Sequence, residues 1–343
     1  MNKRFLKIQN KLLPELIEIA EKRNNILKEI QHSQPVGRRN LAEKLNESER
    51  SIRNELDFLK EQRLIEITSA GTILTQEGKD LLNGLVDYIK SLKGISNLEE
   101  QVEEILGIKV LIVPGAHNPH YNKNELGRFA ARELKKIINK STKPLTLAVT
   151  GGTTVAEVAN NMIWDGLKRP ITVVPGRGGL GEDVEIQANT IAATFAKKLG
   201  GTYRMLHVPD NLQESTLQEI LQEPQIREVL DLLASTDILM HGVGTAQEMA
   251  ERRDLEESEL DFLAEKEAVG EAFGFYFDKE GKIVYTTNSV GLRLDDLKKD
   301  DLLVVAVAEG EEKARAIISV VSPDYQDILI TDEKTARKML ELK

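Results

Sequence analysis

The chain has 343 residues, no cysteine, and 46 Lys and Arg against 56 Asp and Glu, a formal charge of −10. That length predicts about two domains, one of them large enough to bury a full core, and 41% apolar residues support globular structure. Without Cys there are no disulfides, thiolate zinc sites, iron–sulfur clusters or cysteine nucleophiles, and five scattered His do not suggest a metal cage, so no metal and no cofactor is expected.

The N-terminal part opens with an apolar helical pattern, Leu16, Ile17, Ala20, Ile26, Leu27 and Ile30, ended by Pro35-Val36-Gly37. A short helix is predicted over Arg39–Leu45, and a third capped by Ser48, with Ile52, Leu56 and Leu59 facing a core. Arg50, Arg53, Asn54 and Asp57 align on another face of that helix, as a major-groove reader requires. The short β segments LIEIT and TILT follow, joined through Ser69-Ala70-Gly71. Three helices and a hairpin in this order predict a winged helix-turn-helix. Ser48, Arg50, Ser51 and Arg53 are the expected DNA readers, with Arg38 and Arg39 on the backbone. A stripe of Leu81, Leu82, Leu85, Val86, Ile89 and Leu92 predicts a connecting helix, and the domain boundary falls within Gly94–Asn97. The domains are therefore 1–95 and 96–343.

Charge supports this division. Residues 1–95 carry 17 basic and 14 acidic side chains, net +3; residues 96–343 carry 29 and 42, net −13. A mildly basic head on an acidic body fits a double-stranded DNA-binding module joined to a part that does not touch nucleic acid. One head of net +3 would bind weakly, which predicts a homo-oligomer, dimer or tetramer. No apolar run approaches the ~18 residues of a membrane span, and charges interrupt the opening segment where a signal peptide needs apolar continuity. No membrane partner and a cytoplasmic location are expected.

From residue 98 short β-branched runs alternate with helical stretches, predicting a doubly wound, Rossmann-like α/β domain. The expected strands are KVLIV (109–113), LTLAV (145–149), ITVV (171–174), YRMLHV (203–208), DILMH (237–241), LLVVAVA (302–308) and DILIT (327–331). Ligands of such folds bind beyond strand C-termini, so the residues after each run carry the interest. Thr150-Gly151-Gly152-Thr153-Thr154 opens a helix expected over Val155–Trp164, and its amides and hydroxyls suit an anion. It lacks the Gly-Lys-Ser/Thr ending of a Walker A loop and the GxGxxG spacing of a dinucleotide site. Arg177, on the glycine-rich loop 175–183, suits bidentate phosphate capture, and Gln187 faces the same end. Arg252-Arg253, Lys313 and Glu271, the last offering a carboxylate to sugar hydroxyls, complete a candidate site for a sugar carrying two phosphates.

The TGGTT loop is similar to that of amino-sugar phosphate deaminases and isomerases, which carry an Asp-Gly-His segment after a Gly-x-Gly turn. Here His241-Gly242-Val243-Gly244 leads into Thr245-Ala246-Gln247, without that acid and histidine. With the proton-transfer pair missing, no enzyme activity and no catalytic residue are expected, although Glu271 and His241 remain candidates for an enzyme carrying a DNA-binding head.

The winged helix, TGGTT, PGRGGLGEDVEIQANT, HGVGTAQEMAERR and VGEAFGFYF together resemble the SorC/DeoR-type transcriptional repressors across nearly the whole chain. The resemblance implies repression of a glycolytic operon, relieved by fructose 1,6-bisphosphate as the effector. It implies that Gly151, Gly152, Thr153 and Thr154, with Lys313 nearby, hold one phosphate. Arg177, Gln187, Arg252 and Glu271 would meet the other phosphate and the hydroxyls. One departure is Glu309-Gly310-Glu311-Glu312 before Lys313, which would weaken binding if the carboxylates faced the ligand.

Overall fold

A computed structural model describes residues 12, 13, 15–114, 122–140, 142–163, 169–179, 183–208, 214–288 and 290–343. The chain divides into two units, Met1–Ser96 and Asn97–Lys343.

In the first unit α1 (Glu15–Ser33), α2 (Arg38–Lys44) and α3 (Glu49–Glu61) precede a hairpin of β1 (Ile65–Thr68) and β2 (Gly71–Leu74), and α4 (Gln76–Lys93) follows. Ser48 caps α3 by accepting the Ser51 amide at 3.1 Å. Ile52, Leu56 and Leu59 are buried, while Arg50, Arg53, Asn54 and Asp57 stay exposed. α1 runs to Ser33 rather than Ile30, where the hydroxyl donates to Glu29 at 2.6 Å and the same carboxylate takes Lys44 Nζ at 2.9 Å. Those donors satisfy a buried acid that would otherwise oppose folding. Val36 pairs with Thr72 in both directions, at 3.1 and 2.8 Å, adding a one-residue third strand beside the hairpin. The predicted stripe on α4 is narrower than expected: Leu82, Ile89 and Leu92 are buried, and Leu81 is exposed. Gly94, in the left-handed region at φ 68°, ends that helix.

α5 (Ile95–Leu106) leads into the second unit, in which β3 (Lys109–Val113), α6 (Asn122–Ile138), β4 (Leu145–Val149), α7 (Thr153–Asn161), β5 (Ile171–Pro175), α8 (Ala188–Leu199) and β6 (Thr202–Tyr203) alternate. After α9 (Glu214–Ile220) and α10 (Pro224–Ala234) come β7 (Ile238–His241), β8 (Gly244–Thr245), α11 (Ala246–Arg252) and α12 (Glu257–Glu265). The strands β9 (Ala268–Ala272), β10 (Phe275–Asp278) and β11 (Ile283–Thr286) precede β12 (Leu303–Val307), α13 (Ala314–Val320), β13 (Ile328–Asp332) and α14 (Glu333–Glu341). Seven parallel strands form one sheet in the order β3-β13-β12-β7-β4-β5-β6. Leu147, Ala148 and Val149 of β4 are fully buried, as expected for a sheet covered on both faces.

Three expectations need correction. Of YRMLHV (203–208) only Tyr203 is strand, as the second residue of β6. Beyond it Asn189 takes the Leu206 amide at 2.9 Å and donates to its carbonyl at 3.0 Å, so a side chain replaces the ladder. The helix after TGGTT begins at Thr153, not Val155, and ends at Asn161; Trp164 lies outside the described residues. A second, antiparallel sheet, β11-β10-β9-β8, was not foreseen, because β8 has two residues and Gly270-Glu271 interrupts the apolar pattern of β9.

Candidate functional site

From β4 the chain steps to β5 and β6 on one side of the sheet, and β7 continues to β12 and β13 on the other. A parallel sheet opens its crevice where strand order reverses in this way, so the residues after β4 and β7 define the site. Gly242 N donates to Thr150 Oγ1 at 3.4 Å and Thr150 N to Met240 O at 3.1 Å, tying the two strand ends together. Gly152 caps α7 at φ 122° and gives its amide to Ile186 O at 2.9 Å. A Cβ on Gly151 would stand 3.0 Å from that carbonyl. Within α7 the first satisfied amide is Ala156 N, bonded to Gly152 O at 3.0 Å. The first-turn amides of Thr153, Thr154 and Val155 therefore end the helix as donors beside the cavity.

Arg177 follows β5, and its backbone is not a swinging loop. Gly176 N is bonded to Val149 O at 2.7 Å, Gly178 N to Val290 O at 3.0 Å and Gly179 N to Val208 O at 3.0 Å. The buried guanidinium donates to Thr287 Oγ1 and rests on Gly274. Gly181, counted in the predicted loop, lies outside the described residues. Glu271, in β9, is buried: its Oε1 accepts Arg253 Nη2 at 2.9 Å and the Gly274 amide at 2.5 Å. The expected free carboxylate is thus half committed, and Oε2 remains for a hydroxyl. Gln187 caps α8.

Arg252 Nη1 and Lys313 Nζ both approach Glu248, at 4.0 and 3.7 Å. Two cations that the resemblance gives to different phosphates thus share a carboxylate. All nine ligand candidates, Gly151 to Thr154 with Arg177, Gln187, Arg252, Glu271 and Lys313, line one cavity that opens to solvent. Glu309, Glu311 and Glu312 are not among its lining residues. Glu311 and Glu312 are exposed, and Gly310 is anchored by its amide to Thr335 Oγ1 at 2.8 Å. Sequence reasoning missed Glu248, Phe273 and the partnership of Arg253 with Glu271. The i, i+4 spacing of Glu248 and Arg252 was a readable signal; the Arg253 pair, which joins a helix end to a strand, was not.

His241 is fully buried against the Phe273 ring, 4.3 Å between centroids, and its Nδ1 is 2.9 Å from Gly242 O. Burial pushes its pKa down to about 4 from the ordinary 6.5. The folded protein resists a proton that the unfolded chain accepts below 6.5, so stability is lost as pH falls from about 6.5 toward 4. A loss of roughly 3 kcal/mol is expected across that window. Urea unfolding of His241→Gln at pH 7 and pH 4.5 should show a flatter acid slope than the parent; an equal slope would place the acid sensitivity elsewhere.

In the first unit Arg38 and Arg39 both reach Glu49, at 3.6 and 3.1 Å, and Arg53 reaches Asp57 at 3.8 Å. Ser51 faces inward: its hydroxyl donates to Glu47 at 2.8 Å and lies 2.6 Å from Lys22 Nζ. It serves helix packing, and Ser48 serves as the cap. Arg50 is exposed and makes no ion pair among the described residues. Arg50→Ala should leave the melting temperature unchanged while weakening operator binding by about 1–3 kcal/mol, read by anisotropy against scrambled DNA. Binding by Arg50→Ala equal to the parent's would remove Arg50 from the interface.

A winged helix joined to an α/β domain with a cation-lined cavity at its switch point defines a ligand-responsive transcription regulator. The family described as "Putative sugar-binding domain" matches residues 90–341, and that described as CggR N-terminal DNA binding domain matches 19–89. The chain is 44% identical to the central glycolytic genes regulator of Priestia megaterium and 42% to that of Bacillus subtilis, with 98% of each chain covered in both cases. A structure assigned to the SorC family from Enterococcus faecalis superposes with TM-score 0.65 at 39% identity, over 71% of this chain and all but 1% of that one, which it covers to 99%. The full-length sorbitol operon regulator SorC from Klebsiella pneumoniae shares the fold at TM-score 0.63 and 19% identity, over 96% of this chain and 100% of that one. The chain belongs to the SorC family of sugar-binding transcriptional regulators, in the group of the central glycolytic genes regulators. These relatives are named as transcriptional regulators, and the chain is a regulator of the same family.

Proposed function

We propose that the protein represses a glycolytic operon and that fructose 1,6-bisphosphate, bound in the cavity of the second unit, releases it from operator DNA. The observation that carries this reading is the convergence of the α7 amides, Arg177, Arg252 and Lys313 on one cavity. Among the described residues four basic and two acidic side chains line it, a net +2 that suits a ligand with two phosphates. Bound effector must favour a state with lower operator affinity, since equal binding to both states would shift nothing. The protein acts in the cytoplasm as a homo-oligomer, a dimer or a tetramer, because one head of net +3 neutralises few phosphates. No helix among the described residues is long and apolar enough to cross a membrane.

The test is titration of the full chain on labelled operator DNA at fixed salt, with fructose 1,6-bisphosphate, fructose 6-phosphate and inorganic phosphate added separately. Release by the bisphosphate at the lowest concentration is expected. Operator affinity indifferent to all three would overturn the effector reading, and consumption of the sugar would return the enzyme reading. That second reading has little to work with: His241 is shut behind Phe273, and Glu271 is held by Arg253.

A further inference from the structure

We infer that Glu248 is an internal counter-anion that sets the effector threshold of the cavity. The inference rests on the effector reading above. Glu248 is the third residue of α11, where its amide donates to the capping Thr245 Oγ1 at 3.2 Å. The opposite face of that helix is anchored, Ala246 and Ala250 packing with Leu255, Leu263 and Tyr276 in a buried cluster. The carboxylate is thereby held over the cavity and spans two elements. Oε1 faces Arg252 one helical turn on, and Oε2 faces Lys313 in the turn after β12.

The geometry is that of a placeholder. Separations of 4.0 and 3.7 Å exceed the roughly 2.7–2.9 Å of a charge-assisted hydrogen bond, and the Glu248 side chain is 46% exposed. Such loose pairs contribute little to stability, so displacing them costs little. Of the two carboxylates that line the cavity among the described residues, Glu271 is already buried in its pair with Arg253. Glu248 is the one whose charge meets an incoming phosphate. A bisphosphate must displace it from both cations and gains both in return; a monophosphate reaches fewer of them. Removing the charge lifts the repulsion that a facing phosphate meets, which predicts about tenfold tighter bisphosphate binding, or about 1.4 kcal/mol.

Calorimetry on the full chain, at physiological salt, compares the parent, Glu248→Gln and Glu248→Ala with fructose 1,6-bisphosphate and fructose 6-phosphate as ligands. Glu311→Gln, which removes an exposed charge outside the cavity lining, controls for net charge. Both Glu248 variants should bind the bisphosphate about tenfold tighter and the monophosphate by a smaller factor, with operator release shifted to lower concentration in step. Glu311→Gln should match the parent. Unchanged or weaker bisphosphate binding in the Glu248 variants overturns the inference, since a carboxylate that holds sugar hydroxyls would behave so. An equal gain in Glu311→Gln overturns it as well. Failure of the parent itself to bind the bisphosphate would overturn the effector reading, a result distinct from either of these.

Discussion

Replacing Arg253 by methionine should lower the unfolding free energy of the sugar-binding unit by about 3–5 kcal/mol, because it strands a buried carboxylate. Arg253 and Glu271 are 4% and 5% exposed at the side chain and meet at 2.9 Å. Their surroundings include Tyr276, itself fully buried, whose phenol is pushed up by burial and by the neighbouring Glu271 charge. Urea unfolding of Arg253→Met should show the loss, and Arg253→Met with Glu271→Met should recover much of it, since neither charge then remains uncompensated. A single variant as stable as the parent would mean that the pair is not closed off from water.

The second large effect is expected at Arg177. Arg177→Ala should weaken effector binding by about 3–4 kcal/mol, two charge-assisted hydrogen bonds, or roughly 10² to 10³-fold. Operator affinity without effector should be unchanged, because the residue belongs to the other unit. The guanidinium is preorganised: Thr287 Oγ1 accepts from it, and a Cβ on Gly274 would stand 1.9 Å from its Nη1, so only glycine allows its position. Gly274 has φ 76° and Phe273 φ 56°, left-handed backbone within the two-residue turn between β9 and β10. That turn sets the guanidinium against the cavity while Glu271 accepts its amide. Anisotropy with operator DNA, titrated with fructose 1,6-bisphosphate, reads both affinities. A release midpoint equal to the parent's would take Arg177 out of the site, and a melting curve of the variant separates this from loss of fold.

Much of this was legible along the chain, and the reason is periodicity. Ser48 before Ile52, Leu56 and Leu59 announces the capped recognition helix, since cap chemistry and apolar spacing are local. Runs such as LTLAV and LLVVAVA announce buried parallel strands, and the glycines and threonines after LTLAV announce an anion loop, because backbone approach needs residues without bulk. Even Arg177, Arg252 and Lys313, far apart in sequence, were readable as strand-end cations once the α/β order was known. What no local pattern carries is which of these charges face one another. Whether Arg253 compensates Glu271, whether Glu248 lies between Arg252 and Lys313, and whether Glu311 and Glu312 stay outside the cavity depend on how the small antiparallel sheet and α11 close against the strand ends. Composition and spacing determined the elements and the kind of ligand they suit; the tertiary structure decided the pairing, because Coulomb energy depends on distances through space that sequence separation does not encode.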